Sequence, residues 1–358
     1  MFIVWFFLTT STALALETDQ FTTPRAPLHD IGPRLSRKIV EIIEAGGKGQ
    51  DPDQILYRWV GRNVLTSQPS KWVKKIRVDD GPVTFRPGPF GSIYNVAASP
   101  LPASFFFNSP TVHVHGYYFG SDKIDHFFQQ GHQYFQRVMR LLEQGAGIEA
   151  SVAAAVTHGV RQEHNYFGTM ATGVYSNGDL AANFAGMKFY LNLQQSVRVG
   201  DVVRPPMFER TADGWRLRLG IDRDRLLEPF LSNHLDESLN PSRYRFNRAS
   251  IRSHVRARCG QWVNFYADRI GLVAPSGQSF ASTWFGEDYG HWLPPAGEIS
   301  IATECGDVVR ASVLSLAKVG TATGGAASSS LPTAGLHRKI ALNGRARKWR
   351  YVWPVRRN

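Results

Sequence analysis

His126 stands four residues after Asp122 in the stretch SDKIDHFFQQGHQYF, residues 121–135. That interval is one helical turn, so the carboxylate and the imidazole share a face. A carboxylate so placed orients an imidazole, which prepares a general base. Six of the eleven histidines lie between 113 and 164: His113, His115, His126, His132, His158 and His164. Imidazole titrates near neutral pH and ligates metals, so the clustering points to acid–base or metal chemistry. His113 and His115 alternate in TVHVHGYYFG. On one strand they point to one face and can chelate a divalent metal, with Asp122 or His126 as a third ligand. The competing reading is a polar strand face.

A second constellation lies downstream. In GDLAANFAG, Asp179 and Asn183 are four apart, and Gly186 follows three later. They form a polar stripe that can bind substrate or a metal. Asp179 also reads as an acid favoured by a helix N-terminus, and Gly186 as a place for a second helix to approach. Glu163 and His164 end RQEHNYFG, and His234, Asp236 and Glu237 lie in SNHLDES. Either group can donate to a site, without a diagnostic spacing. The motifs HExxH, GxSxG, GxGxxG and the Walker loop do not occur in the sequence.

Helices must position these residues. After Ser121, the apolar residues Ile124, Phe128 and Phe135 mark one stripe of a helix over 121–145, with Gly145 and Gly147 ending it. Asp122, His126, Gln129 and Gln133 fall opposite. That face is either solvated or lines a polar cleft. Its wealth of His and Gln, in place of Lys and Glu, is what speaks for a cleft. Further helices are expected over 148–168 and 177–195, and also in IGPRLSRKIVEIIEAGG, DPDQILYRWVGRNVL, DRDRLLEPFLSNHL and SIRSHVRARCGQWVNFYADRI. FERTADGWRLRLGI reads as a small hairpin turning at Asp213-Gly214, and TVHVHGYYFG as one strand. For EISIATECGDVVRASVL periodicity does not choose between strand and helix. The fold class is mainly α, a helical domain with a small β-hairpin and one or two short strands.

DKIDHF at 122–127 and DLAANFAG at 179–186 together resemble a motif pair of the VanZ-like group and related bacterial envelope proteins. The resemblance covers under a tenth of the chain. It implies that the two motif helices pack together, with Asp122, Lys123 and His126 near Asp179 and Asn183. The sequence departs from that group in lacking apolar spans: beyond the first twenty positions no run of eighteen apolar residues occurs. Membrane embedding therefore does not carry over, and what remains is a role at the envelope.

The ends of the chain point the same way. MFIVWFFLTTSTALALETDQ resembles a secretory signal, residues 1–15, cleaved after Ala15, although no Lys or Arg precedes its apolar run. Export permits a disulfide between the two cysteines, Cys259 and Cys305; burial of Cys259 as a small apolar residue is the alternative. Residues 16–318 are expected to form a single helical domain and 319–335 a flexible linker. A basic aromatic tail, 336–358, follows. From Ala311 onward nine cations meet no acid, which leaves about +3 of the net +12 for the rest. Trp349, Tyr351 and Trp353 among those cations suit an anionic membrane surface; a solvated extension is the alternative, and export makes nucleic acid the lesser partner.

The functional expectation is an exported, periplasmic or outer-envelope protein, peripheral to a membrane. Its polar cleft would hydrolyse an envelope component. His126 is then the general base and Asp122 its orienter, while Asp179, Asn183, Lys123, Glu163 and His164 hold substrate. Two rivals stand beside it: a non-catalytic scaffold with a buried polar network, and a His-rich metal binder through His113 and His115.

Overall fold

The computed structural model describes residues 17–61, 66–94, 108–165, 168–169, 172–200, 202–272 and 299–322. The fold is mainly α. Three helices come first: α1 (Gly32–Glu44), α2 (Pro52–Val60) and α3 (Gln68–Lys75). The antiparallel sheet β1 (Thr84–Phe85), β2 (Thr111–Val114) and β3 (Tyr117–Gly120) follows. The chain then enters α4 (Ser121–Asp125), which runs through a π turn (His126–Gln130) into α5 (Gly131–Glu143). Next are α6 (Ile148–Asn165), β4 (Val174–Tyr175) and α7 (Asn177–Asn192). The later elements are two small hairpins, β5 (Val197–Val199) with β6 (Val202–Arg204) and β7 (Phe208–Arg210) with β8 (Trp215–Leu217), then β9 (Arg243–Tyr244) paired to β4, and the helices α8 (Arg248–Arg256), α9 (Cys259–Phe265) and α10 (Ile301–Ala322).

α7 is buried along its whole length, so it shows no polar stripe toward solvent. The 121–143 helix and α6 pack against it. Phe127, Phe128, Phe189 and Phe230 interlock there, with ring centroids 5.0–6.0 Å apart. Each buried phenyl contributes roughly 1.5–3 kcal/mol of apolar burial. The two helix axes approach closely because both contact positions are glycine. A Cβ on Gly186 would lie 1.9 Å from Phe127 O, and one on Gly131 would lie 2.7 Å from Gly186 Cα. Gly186 thus does what its position in GDLAANFAG predicts.

The π turn matters for the site. Gly131 N–H bonds back to His126 O, five residues earlier, so the helix carries an extra residue at this point. That rotates the faces before and after it relative to one another. Asp122, His126 and Gln129 are buried, whereas Gln133 and Gln136 are exposed. The polar face read from an uninterrupted wheel is therefore split, solvated only in its second half.

Several expected elements differ. TVHVHGYYFG is a hairpin: β2 pairs with β3 across His115 and Gly116, both at positive φ (51° and 81°). Asp30 holds the turn by accepting the N–H groups of His115 and Gly116 at 2.8 Å. The stretch 222–235 is a series of single 3-10 turns. Pro229 begins a new turn there, and the side chains of Asp222 and Ser232 cap others, so no long helix propagates. The helix expected over 250–270 breaks at Ala257 into α8 and α9. Around Cys305 the chain is helical, in α10. The 208–217 hairpin forms as expected, β7 (Phe208–Arg210) against β8 (Trp215–Leu217).

Cys259 and Cys305 form a disulfide, with Cα atoms 5.5 Å apart. It joins α9 to α10 beside a second apolar cluster around Trp262 and Tyr266. Contacts gather residues 1–315 into one unit; 316–358 make a second, of which the described part is the end of α10. α10 continues to Ala322, into the stretch read as a linker. The rest of that stretch, 323–335, the tail 336–358 and the signal-like 1–15 lie outside the described residues. Among the described residues no helix is long and apolar enough to cross a membrane.

Candidate functional site

Lys123 is the centre of the site. Its side chain is wholly buried, and its Nζ meets Asp122 Oδ2 at 2.6 Å, Asp179 Oδ1 at 2.5 Å and Glu237 Oε1. α4 supplies Asp122 and Lys123, α7 supplies Asp179, and the loop after the 3-10 turn at 233–235 supplies Glu237. An ammonium taken from water is costly unless paired and hydrogen-bonded; here three carboxylates do both.

His126 sits one turn further along. Its Nδ1 is 3.0 Å from Asn183 Oδ1, and its Nε2 is 3.3 Å from Asp179 Oδ2. Asp179, not Asp122, is therefore the acid facing the imidazole. Asp122 turns its other oxygen to the Thr18 hydroxyl, which donates at 2.6 Å. Standing four apart places Asp122 and His126 on the same face, but they do not pair: His126 meets Asn183 and Asp179 of α7, and Asp122 meets Lys123 and Thr18.

Two more acids complete the centre. Glu163 of α6 accepts the Ser176 N–H at 3.0 Å, and Glu17 accepts from the Thr172 hydroxyl at 2.6 Å. Ser176 knits the set together. It caps α7 by accepting the Asp179 N–H at 3.1 Å and donates its hydroxyl to Glu237 at 2.9 Å. The N-terminal segment is fastened here too, since Gln20 Oε1 accepts the Glu237 N–H at 2.7 Å.

Five carboxyl groups thus share this interior with two bases. Burial pulls the Lys123 ammonium down, but the charges of Asp122, Asp179, Glu237 and Glu17 outweigh it and hold it well above an ordinary lysine. Burial raises Asp179, and His126 with Lys123 more than reverse that, leaving it below the usual range. Glu237 is pushed up to about 7 by burial, against Lys123 and with the help of Asp122 and Asp179. Burial also carries Glu17 and Glu163 well above the usual carboxylate range, aided by neighbouring acids. Near the centre, burial pushes Asp125 up to about 6 against its hydrogen bonds from Ser67.

A pH dependence follows. Glu237 and Asp125 hold protons more tightly folded than unfolded, so folding takes up protons and stability falls as pH rises through those values. The unfolding free energy is expected to decline from about pH 5 to about pH 8. Urea midpoints across that range, in buffers without added metal ions, check this; a flat or rising profile contradicts it.

His113, His115, His132 and His164 do not join this centre. His113 lies in β2, with Nδ1 2.9 Å from Leu28 O and its ring stacked on Tyr118. His115 lies in the hairpin turn, its Nε2 2.9 Å from Ser36 Oγ. The two therefore do not form a chelating strand pair. His132 packs among Tyr57, Phe135 and Tyr190, with Asp53 at 3.6 Å. His164 is exposed beside Tyr175, and its neighbour Glu163 turns inward. Asp236 binds Arg269 at 2.8 Å in a separate buried pair, leaving Glu237 alone of its trio at Lys123.

No family model, curated protein or solved structure matches the chain.

Proposed function

We propose that the protein is exported, acts at the cell envelope, and uses the Lys123 centre as a structural tie. The observation that carries the tie is closure: Lys123, its three carboxylate partners, Glu17, His126, Glu163 and Asn183 are each no more than 5% exposed. Such a network holds the N-terminal segment, two long helices and the Glu237 loop in one arrangement. Export is supported by the signal-like start and by the disulfide, which suits an oxidising compartment. The VanZ-like motif pair supports the envelope setting, and its two helices cross at Gly131 and Gly186. The basic aromatic tail is the part proposed to touch anionic lipid.

A second reading is hydrolysis of an envelope component by His126 as general base. It is favoured by the Asp179–His126–Asn183 arrangement, in which an acid and an amide fix the imidazole. One variant separates the two. His126→Ala is expected to lower the unfolding free energy by about 1–3 kcal/mol, while hydrolysis of envelope fractions stays at background for both proteins. An equally stable variant that loses a hydrolysis shown by the wild type overturns the tie.

A further inference from the structure

We infer that Glu17, Asp122 and Asp179 form a binding site for one hard divalent cation, of the calcium, magnesium or manganese class. The inference goes beyond the structural tie and does not depend on the envelope setting. Each of the three residues offers one carboxylate oxygen, and those oxygens lie within 4.8 Å of one another. Oxygens around a common ion with bonds of about 2.0–2.6 Å have that spread. All three residues are buried. They come from three separate parts of the chain: the N-terminal segment, α4 and α7.

Unpaired buried atoms mark the same place. Glu17 uses one oxygen for Thr172, and its Oε2 has no hydrogen-bond partner. Glu237 Oε2 is likewise unpaired. Independently of the acids, buried His126 turns its Nε2 toward Asp179 Oδ2 at 3.3 Å without a hydrogen bond.

Three carboxylate oxygens with no nitrogen or sulfur ligand select a hard cation. The ion would clamp Glu17, and with it the N-terminal segment, onto the two central helices. Lys123 shares this interior with the ion, meeting Asp122 at Oδ2 and Asp179 at Oδ1.

The test uses the full chain without a histidine tag, stripped with chelator and dialysed. Titration calorimetry and thermal melts are then run with Ca2+, Mg2+, Mn2+ and Zn2+ separately. The expected result is one equivalent of Ca2+, Mg2+ or Mn2+ bound, with a rise in melting temperature reversed by chelator. Glu17→Gln keeps the Thr172 contact and is expected to weaken that binding at least tenfold. Should Glu17→Gln not fold, Glu17→Asp, which retracts the oxygen by one methylene, is read in the same way. No bound ion, Zn2+ alone, or binding undiminished in the folded Glu17 variant overturns the site. The tie reading is scored separately, by the stability of His126→Ala in chelator.

Discussion

Lys123→Met is expected to lower the unfolding free energy by about 3–5 kcal/mol, the usual loss when one partner of a buried ion pair is removed. Methionine nearly matches the length of the lysine stem and is apolar, so the change deletes charge more than volume. The Nζ now touches Asp122, Asp179 and Glu237, all buried. Without it these carboxylates lose their common counter-charge, and one or more must protonate. The loss is therefore expected to shrink toward acid pH, where Glu237 binds a proton in either case. Urea unfolding at neutral and acid pH measures both effects. A loss below about 1 kcal/mol at neutral pH would place Lys123 among ordinary surface pairs.

The second large effect is steric. Gly186→Ala is expected to destabilise the protein by about 1–3 kcal/mol through overpacking. Helix propensity alone argues the other way, because alanine is better than glycine inside a helix by about 1 kcal/mol. The contact decides the sign. The new Cβ would stand 1.9 Å from Phe127 O, a backbone atom in the π turn that no side-chain rotation can move. The helices must separate, which also draws Asp179 from Lys123 and His126. A melting temperature equal to or above that of the wild type would contradict the close crossing.

Much of the fold was legible in the sequence where one local signal dominates. Asp213-Gly214 announced a hairpin, and Gly145 and Gly147 closed the helix before them. The TVHVHGYYFG hairpin was hidden because its turn is His115-Gly116. Positive φ is uncommon for a residue other than glycine, and Asp30, eighty-five residues away, holds His115 there. The 222–235 stretch has helical composition, but local side-chain caps and Pro229 divert it.

The site was half legible. Asp122, Lys123, His126, Asp179 and Asn183 do meet, where the two motif helices cross. Their partners were not, because a helical wheel assumes an unbroken 3.6-residue period and the π turn changes the phase after His126. The face therefore read as one surface or one cleft, when its first half is interior and its second half is solvated. Glu17 carried no signal at all: it lies in an irregular lead-in, and only tertiary contact places it beside Thr172 and the two aspartates. Glu237 was visible as an acid without a spacing, since a loop fixes it through Gln20 and Ser176.

The most direct measurement of the tie is a double-mutant cycle between Lys123→Met and Glu237→Gln, by urea unfolding at neutral pH in chelator. If Lys123 and Glu237 hold one another in the closed interior, the double variant loses less than the sum of the single ones, by about 1–3 kcal/mol. Additivity within about 0.5 kcal/mol would mean that the two charges do not act together, and the tie would fail with them.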